Sequence, residues 1–339
     1  MRGLVFAGDE TAEVREFPDP QAGAGEAVVK VRASGLCGSD LPRFRRDSGS
    51  EGVIPGHEPS GEVVELGPGV PPGLRVGDRV MVHHYAGCGV CEMCALGFEQ
   101  ACPVDRVTYG TGAHGGHADY ITVPARTLVH LPEPLSFAAG AAMACGTGTA
   151  WNGLHKMGIS GRDTVVVFGQ GPVGLSGVVC AKAMGARVIA VDISSERLAY
   201  ARTLGADFTV DPTEVSVPEA VLEITSGRGA TASLETSGAH LARAQALEVL
   251  AFFGRCSFVG NGPPSSIDIR GEVVRKVLTI YGSWTFTKYE LIQVAQFMVD
   301  TGVDLDALIG KRYGLDDGER AYREFAAGAT GKPVIAFDG

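Results

Sequence analysis

The sequence of 339 residues lacks several features that would assign it to a class at once. It has no run of 18 apolar residues, so no membrane-spanning helix is expected. Met1 leads directly into a strand-like segment, Gly3-Leu4-Val5-Phe6, without the charged and apolar regions of a signal peptide. We therefore expect a cytoplasmic protein. Internal repeats, low-complexity tracts and a charged tail are also lacking.

Positive charge is scarce as well. The 29 Lys and Arg residues are outnumbered by 39 Asp and Glu residues, which gives a formal net charge of -10. Because nucleic-acid surfaces normally carry a basic stripe, no nucleic-acid partner is expected. Glycine, in contrast, is abundant at 48 residues, which indicates tight turns and close backbone approaches. The chain is also longer than one core usually serves, so two domains are predicted.

The pattern of apolar residues changes near residue 150. Before it, short apolar runs separated by Gly, Pro and Asp turns predict a β-rich region. Beyond it, strands rich in β-branched residues alternate with helical patterns. The six predicted strands are at residues 165–168, 188–192, 208–210, 233–235, 256–259 and 278–281. Each parallel crossover needs a returning helix, so this alternation predicts an α/β region with a doubly wound parallel sheet. A helix over residues 289–301 and mixed structure follow.

A glycine-rich segment follows the first predicted strand. Gly169-Gln170-Gly171-Pro172-Val173-Gly174 fits the G-x-G-x-x-G pattern, which ordinary glycine-rich turns also share. The preceding strand, Pro172 in a first helical turn and Gly185 at the expected helix end favour a dinucleotide loop. Gly169 would permit the turn, Gly171 the approach of the pyrophosphate, and Gly174 close packing of the helix on the sheet.

Asp192 ends the second predicted strand. A carboxylate there can accept hydrogen bonds from the ribose 2′-hydroxyl and would repel a 2′-phosphate, so NAD is expected rather than NADP. The NAD-binding Rossmann domain is predicted at residues 147–287. It would be inserted into a discontinuous β-rich catalytic domain at residues 1–146 and 288–339.

Four of the eight cysteines are clustered, at Cys88, Cys91, Cys94 and Cys102. Disulfides are not expected in a cytosolic enzyme of this size, and clustered cysteines there indicate metal binding or catalysis. Four thiolates can close a tetrahedral shell around zinc and leave no position for a substrate. The sequence therefore predicts a structural zinc in a lobe of residues 86–104, the alternative being four incidental loop cysteines.

Three further candidates for metal binding stand far apart: Cys37, His57 and Cys145. A catalytic zinc needs three protein ligands and one open position. Taken singly, each residue has an ordinary alternative, because a lone Cys is usually a small buried apolar residue and a lone His is usually hydrogen-bonded. The residues alone leave these alternatives open.

The segment Gly56-His57-Glu58-Pro59-Ser60-Gly61, followed by Gly67 and Val70, resembles the signature of zinc-containing medium-chain alcohol dehydrogenases. Cys37-Gly38-Ser39-Asp40, the four-cysteine lobe and the glycine loop resemble that family in the same order, and the likeness continues to Gly331-Lys332-Pro333-Val334-Ile335. The nearest likeness is to bacterial threonine, polyol and secondary-alcohol dehydrogenases. The resemblance implies a GroES-like catalytic domain, two zinc ions per chain and a homotetramer or dimer. It also implies NAD-dependent interconversion of a secondary alcohol and its ketone.

By position, the resemblance implies that Cys37, His57 and Cys145 bind the catalytic zinc. Polyol and threonine-type relatives often have Glu or Asp where Cys145 stands. Glu58 resembles a carboxylate that can approach the zinc, and Asp40 resembles the one that orients the ligand histidine.

The resemblance also implies a proton relay and a nicotinamide contact. Ser39 would accept the hydroxyl proton. Many relatives continue the relay through a histidine where this chain has Pro42, so the ribose, a water chain or another side chain would complete it, or a step would be slower. Thr149 and Val173 resemble residues that contact the nicotinamide.

Two histidines, His84 and His117, stand where relatives have pocket residues that are often aromatic or apolar. Buried imidazoles need partners, which favours a polar small-molecule substrate: a polyol, cyclitol, sugar or amino alcohol. The alternative is that these histidines bond backbone groups at the pocket rim. Trp284 could wall the pocket or pack between the domains.

Other functions remain open from the sequence. A simple aliphatic alcohol dehydrogenase would have the same motifs. A zinc-free, NADPH-dependent ketone or quinone reductase shares the fold but needs neither the four-cysteine lobe nor Cys37 and His57. A zinc-ribbon nucleic-acid binder would explain the lobe alone, and a non-catalytic NAD-binding relative would explain the glycine loop.

Overall fold

The computed structural model describes residues 1–49 and 52–337. In chain order, the strands are β1 (Arg2–Gly8), β2 (Thr11–Glu16), β3 (Glu26–Gly35), β4 (Glu58–Leu66), β5 (Arg79–Val82), β6 (Tyr85–Ala86), β7 (Val107–Thr108), β8 (Tyr120–Pro124), β9 (Leu128–His130), β10 (Thr164–Phe168), β11 (Arg187–Val191), β12 (Phe208–Val210), β13 (Ala230–Glu235), β14 (Leu250–Phe258), β15 (Thr279–Gly282), β16 (Lys311–Tyr313) and β17 (Pro333–Ala336). The helices are α1 (Leu41–Phe44), α2 (Glu92–Ala95), α3 (Phe137–Ala142), α4 (Gly148–Lys156), α5 (Pro172–Ala183), α6 (Ser195–Thr203), α7 (Val217–Ile224), α8 (His240–Glu248), α9 (Lys288–Thr301) and α10 (Gly318–Ala326).

The chain divides into two compact units. The first unit comprises Met1–Cys145 and Phe286–Gly339, and the second unit comprises Gly146–Thr285. Within the described ranges, no helix is long and apolar enough to cross a membrane. The assignment of the domains as catalytic and NAD-binding stays a prediction.

The first unit is built on a sheet whose strands follow the order β16-β17-β3-β4-β5-β9, with β8 also pairing with β3. Alternate residues of β3, such as Val29 and Val31, are fully buried, because successive strand residues face opposite sides of the sheet. β3 and β4 are antiparallel, and Gly35 at the end of β3 pairs with Glu58 at the start of β4. This register brings the residues just after β3 beside those just before β4.

The second unit contains a parallel sheet in the order β12-β11-β10-β13-β14-β15. Its strands are rich in buried β-branched residues, as expected when helices cover both faces of a sheet. The order reverses between β10 and β13, the point at which doubly wound sheets bind ligands beyond the strand ends. The prediction of a doubly wound α/β sheet is confirmed.

Two predicted strands were too short. Residues 233–235 were expected, whereas β13 begins at Ala230. Residues 256–259 were expected, whereas β14 begins at Leu250. Its pairing with β13 shifts register between Ala230 and Ala232, and Phe253 has a left-handed backbone with a φ of 62°. A bulge of this kind interrupts the alternation of apolar and polar residues from which a strand is recognised, and this concealed the first half of β14.

Helix α9 shows how local sequence sets the bounds of an element. The Thr287 hydroxyl accepts a hydrogen bond from the backbone N–H of Glu290, and the Glu290 carboxylate accepts one from the backbone N–H of Thr287. This capping box satisfies two amides that the first helical turn leaves unpaired. Gly302, with a φ of 64°, ends the helix.

Candidate active site

Three stretches of the first unit converge on one point. They supply four side chains: Cys37 beside a 3-10 turn after β3, His57 and Glu58 at the start of β4, and Cys145 in a π-helical segment after α3. One ligand atom from each of the four lies within 4.8 Å of all the others. The π-helical segment is consistent with a functional site, because such segments re-aim a side chain within a helix.

The donor set fits zinc. Two thiols and an imidazole, with a carboxylate beside them, match the ligands of a catalytic zinc, which keeps one position for another group. Among the described residues, Glu58 Oε1 has no hydrogen-bond partner although it is buried. A cation among these side chains would supply the partner that this buried oxygen lacks.

The four groups are electrostatically coupled. A hydrogen bond from the Cys145 thiol and the positive charge of His57 lower the pKa of Cys37 well below its usual value. The pKa of Cys145 is raised, because Cys145 donates that hydrogen bond and burial disfavours a second thiolate. Burial raises the pKa of Glu58 to about 7, against the attraction of a nearby lysine. Metal binding at this site should therefore release protons.

Asp40 holds the imidazole of His57 in place. Its Oδ1 lies 3.1 Å from His57 Nδ1, and its Oδ2 accepts a hydrogen bond from the backbone N–H of Cys37 at 3.1 Å. Burial opposes protonation of His57, yet the charges of Asp40 and Cys37 raise its pKa well above the usual value. With Nδ1–H donated to Asp40, Nε2 is the ring nitrogen of His57 that would bind a metal, in exchange for its own proton.

The predicted cysteine lobe forms a second cluster. The sulfur atoms of Cys88, Cys91, Cys94 and Cys102 all lie within 4.8 Å of one another. Hydrogen bonds from the backbone, the largest from Cys88 N–H, lower the pKa of Cys102 to about 6, whereas burial raises that of Cys94 to about 12. Four sulfur donors at this spacing fit a closed tetrahedral shell.

The glycine loop joins β10 to α5 in the second unit. Gly169 has a φ of 84°, a backbone conformation that favours glycine. A Cβ atom at Gly174 would lie 1.7 Å from the Gly169 carbonyl oxygen, so close packing excludes a side chain there. A Cβ atom at Gly171 would meet nothing within 4 Å, and this open space at the start of α5 suits a pyrophosphate. Asp192 adjoins the loop, since its Oδ2 accepts a hydrogen bond from Gln170 N–H at 2.5 Å.

Comparisons with known proteins decide the family. Residues 23–133 match the alcohol dehydrogenase GroES-like domain, and residues 172–300 match the zinc-binding dehydrogenase domain. The chain is 35% identical to the L-threonine 3-dehydrogenase of Pyrococcus horikoshii, over 96% of this chain and 94% of that protein. The chain belongs to the zinc-containing medium-chain alcohol dehydrogenase family.

Two further relatives agree with this alcohol dehydrogenase assignment. The sorbitol dehydrogenase of Halalkalibacterium halodurans is 32% identical over 99% of both chains. The solved structure of alcohol dehydrogenase TADH from Thermus sp. ATN1 superposes with a TM-score of 0.90 at 27% identity, covering 99% of each chain. The first unit thus contains the GroES-like fold, the second a Rossmann-like sheet, and the protein is an enzyme of the alcohol dehydrogenase type.

Two buried residues beside this candidate site were not predicted from the sequence. Lys332 Nζ pairs with Glu58 Oε2 and donates a hydrogen bond to the Leu36 carbonyl oxygen at 2.8 Å. The Tyr322 hydroxyl donates to Asp40 Oδ2 at 3.1 Å. Lys332 lies in the C-terminal segment, residues 331–335, that carries part of the family resemblance. Only its burial in the fold shows that its charge needs a partner. Tyr322 lies on amphipathic α10, where the sequence pattern predicts packing alone.

His117, which was predicted to line the substrate pocket, has partners at both ring nitrogens. Its Nδ1 lies 2.8 Å from Ser34 Oγ, its Nε2 lies 2.8 Å from Tyr322 OH, and the residue is fully buried. Neither ring nitrogen is left for a substrate. The role of His117 toward a substrate stays a prediction.

His84 lies beside the cluster of metal-binding side chains. Its ring centroid is 4.9 Å from that of His57, and its Nδ1 lies 3.3 Å from the Ala144 carbonyl oxygen. Burial lowers the pKa of His84 well below its usual value, so the imidazole is neutral at physiological pH. Its role toward substrate stays a prediction.

The remaining predicted residues fall in both units. Ser39 is exposed on the 3-10 turn beside Cys37, and Pro42 follows in α1. In the second unit, Thr149 is buried in α4, Val173 is half-buried in the first turn of α5, and Trp284 is largely exposed. Their contacts with cofactor and substrate stay predictions.

Proposed function

We propose that this alcohol dehydrogenase interconverts a polar secondary alcohol and its ketone, using NAD and a catalytic zinc. The observation that carries the proposal is the convergence of Cys37, His57 and Cys145 with a buried, unpaired carboxylate oxygen of Glu58. The relatives named threonine and sorbitol dehydrogenases support a hydroxylated substrate such as a polyol, cyclitol, sugar or amino alcohol. A second, structural zinc is assigned to the cysteine lobe.

When bound, zinc acts as a Lewis acid that lowers the pKa of a hydroxyl group, and NAD accepts hydride. Cys37, His57 and Cys145 would hold the metal, and Asp40 fixes the orientation of His57. Glu58 stands beside them as a further donor, with its charge balanced by Lys332. The exposed hydroxyl of Ser39 can accept a proton and pass it to solvent.

NAD is proposed over NADP because of Asp192. Its carboxylate ends β11 and adjoins the glycine loop, where a 2′-phosphate would meet its negative charge. The open space at Gly171 and the start of α5 would receive the pyrophosphate. A homo-oligomer, tetramer or dimer, is proposed on the basis of the family.

The proposal is tested by metal analysis and a substrate screen on the purified protein. Two zinc ions per chain are expected, with reduction of NAD by polyols or amino alcohols exceeding that by simple alkanols. Cys145→Ala should abolish turnover and remove one zinc, whereas Cys180→Ala, a buried cysteine of α5 outside either cluster, should retain both.

Each alternative function predicts a different result. Activity with NADPH that survives complete removal of metal would favour the zinc-free reductase. Faster turnover of unbranched alkanols than of any polyol would favour a simple aliphatic alcohol dehydrogenase. Two bound zinc ions without turnover of any alcohol would leave a non-catalytic NAD-binding relative.

A further inference from the structure

A line of buried polar side chains runs away from the proposed zinc site. It passes from His57 through Asp40, Tyr322 and His117 to Ser34, with contacts of 2.8 to 3.1 Å between successive members. All five residues are buried, and four of them are no more than 2% exposed. The proposed mechanism uses only His57 and Asp40, so the other three need an explanation.

Counting protons gives each hydrogen bond a direction. Tyr322 has one hydroxyl proton, and it donates that proton to Asp40 Oδ2 at 3.1 Å, because a carboxylate oxygen is an acceptor. The Tyr322 oxygen must therefore accept its second bond from His117 Nε2–H. A neutral imidazole with its proton on Nε2 has a bare Nδ1, which accepts from the Ser34 hydroxyl.

The opposite arrangement leaves groups unsatisfied. If Tyr322 donated to His117, the tyrosine oxygen and Asp40 Oδ2 would face each other at 3.1 Å with no proton between them. Burial lowers the pKa of His117 to about 4, which keeps the ring neutral, and raises the pKa of Tyr322 well above its usual value. Both effects support the first arrangement.

Every donor in this line points toward Asp40. Hydrogen bonds aligned in sequence polarise one another, so the last donor binds the carboxylate more strongly than an isolated hydroxyl would. The carboxylate in turn accepts the Nδ1–H of His57. The backbone supports the geometry, because His117 N–H donates to the Pro55 carbonyl oxygen at 3.1 Å, two residues before His57.

From this geometry we infer that His117 is a positioning residue, which donates to Tyr322 and thereby aims the Tyr322 hydroxyl at Asp40, setting how that carboxylate holds the metal-binding His57. The inference rests on the proposed zinc site and extends it by two residues. Both ring nitrogens of His117 are bonded, to Ser34 and to Tyr322, so His117 acts through Tyr322.

Two amide variants separate this role from simple packing. The side-chain amide of Gln can place a donor where His117 Nε2 stands, whereas that of Asn reaches only the Nδ1 position facing Ser34. We therefore expect His117→Gln to retain wild-type affinity for Co²⁺ at the Cys37–His57–Cys145 site, measured by competition with a chelator and by the visible spectrum. His117→Asn and Tyr322→Phe should each weaken it about tenfold, the lower range for partners of metal ligands.

The double variant tests whether the two residues act together. If His117 acts only through Tyr322, His117→Asn should weaken Co²⁺ binding no further in the Tyr322→Phe background. Two results would overturn the inference. One is a double variant whose loss of Co²⁺ affinity is the product of the two single losses, and the other is His117→Asn binding Co²⁺ as tightly as His117→Gln. Nitrogen-15 NMR of the holoenzyme gives a readout without mutation, since a His117 proton on Nδ1 contradicts it directly. A wild-type protein that binds no metal at this site would instead refute the proposed function.

Discussion

Asp192 accepts hydrogen bonds from two backbone amides, Gln170 N–H at 2.5 Å and Ser194 N–H at 2.9 Å, and so has a fixed orientation beside the glycine loop. Asp192→Ala should lower kcat/KM for NAD about 10- to 100-fold, since a hydrogen bond to a charged group contributes about 1.5–3 kcal/mol. The value for NADP should fall less or rise, because the repulsive charge is gone. Steady-state kinetics with both cofactors measure the ratio.

The matched control is Asp211→Ala. Asp211 follows β12, the next strand along the sheet, and its Oδ1 accepts hydrogen bonds only from Thr213 among the contacts described. This variant should leave the NAD to NADP ratio unchanged. An equal loss for both cofactors in Asp192→Ala would show that the carboxylate orders the loop without selecting the cofactor.

Lys332 and Lys311 form ion pairs of opposite character. The Lys332–Glu58 pair is buried, with side chains 3% and 0% exposed, whereas Lys311–Glu324 is 49% and 34% exposed. Removing one partner of a buried pair leaves an uncompensated charge, so Lys332→Met should lower the free energy of unfolding by about 3–5 kcal/mol at a pH where Glu58 is ionised, above its pKa of about 7. Lys311→Met should lower it by less than about 1 kcal/mol. Denaturant titration of both variants checks this, and equal losses would contradict it.

At the scale of elements, the cysteine lobe has little secondary structure of its own. It contains only the short α2 and 3-10 turn Glu99–Ala101 between its first and last cysteines, in the part of the chain described. We therefore expect a bound metal to order it. Cys94→Ser should remove one of the two zinc ions and make residues 86–104 the first site of proteolysis. Loss of both ions, or a lobe as resistant as before, would show that the lobe is ordered in another way.

Elements with a local signature could be predicted from the sequence, and contacts between distant elements could not. The glycine loop and the cysteine lobe each carry their chemistry within a dozen or so neighbouring residues, so spacing alone indicates them. Cys145 could be grouped with Cys37 and His57 only through resemblance. The pairing of Glu58 with Lys332 and of Asp40 with Tyr322 depends on strand register and helix packing. Neither can be read from the local sequence around the paired residues.

On the scale of the whole molecule, the parallel sheet of the second unit ends in an exposed apolar edge strand that could pair with another chain. β15 is its last strand, and Ile280 on it is 38% exposed, with Val277 just before it at 56% and Val274 at 64%. An exposed apolar edge strand offers unpaired N–H and C=O groups to another strand. We expect a second copy of the chain to cover this edge.

Ile280→Lys tests that expectation, because a lysine on an edge strand opposes pairing with another strand. Light scattering coupled to size exclusion should show a smaller species for Ile280→Lys than for the wild type at micromolar concentrations, because each 1.4 kcal/mol lost raises the dissociation constant about tenfold. Val215→Lys is the control, since Val215 is also exposed, at 51%, but follows β12 at the opposite edge. A variant oligomer as stable as the wild type would place the subunit contact elsewhere, and a monomeric wild type would remove the premise.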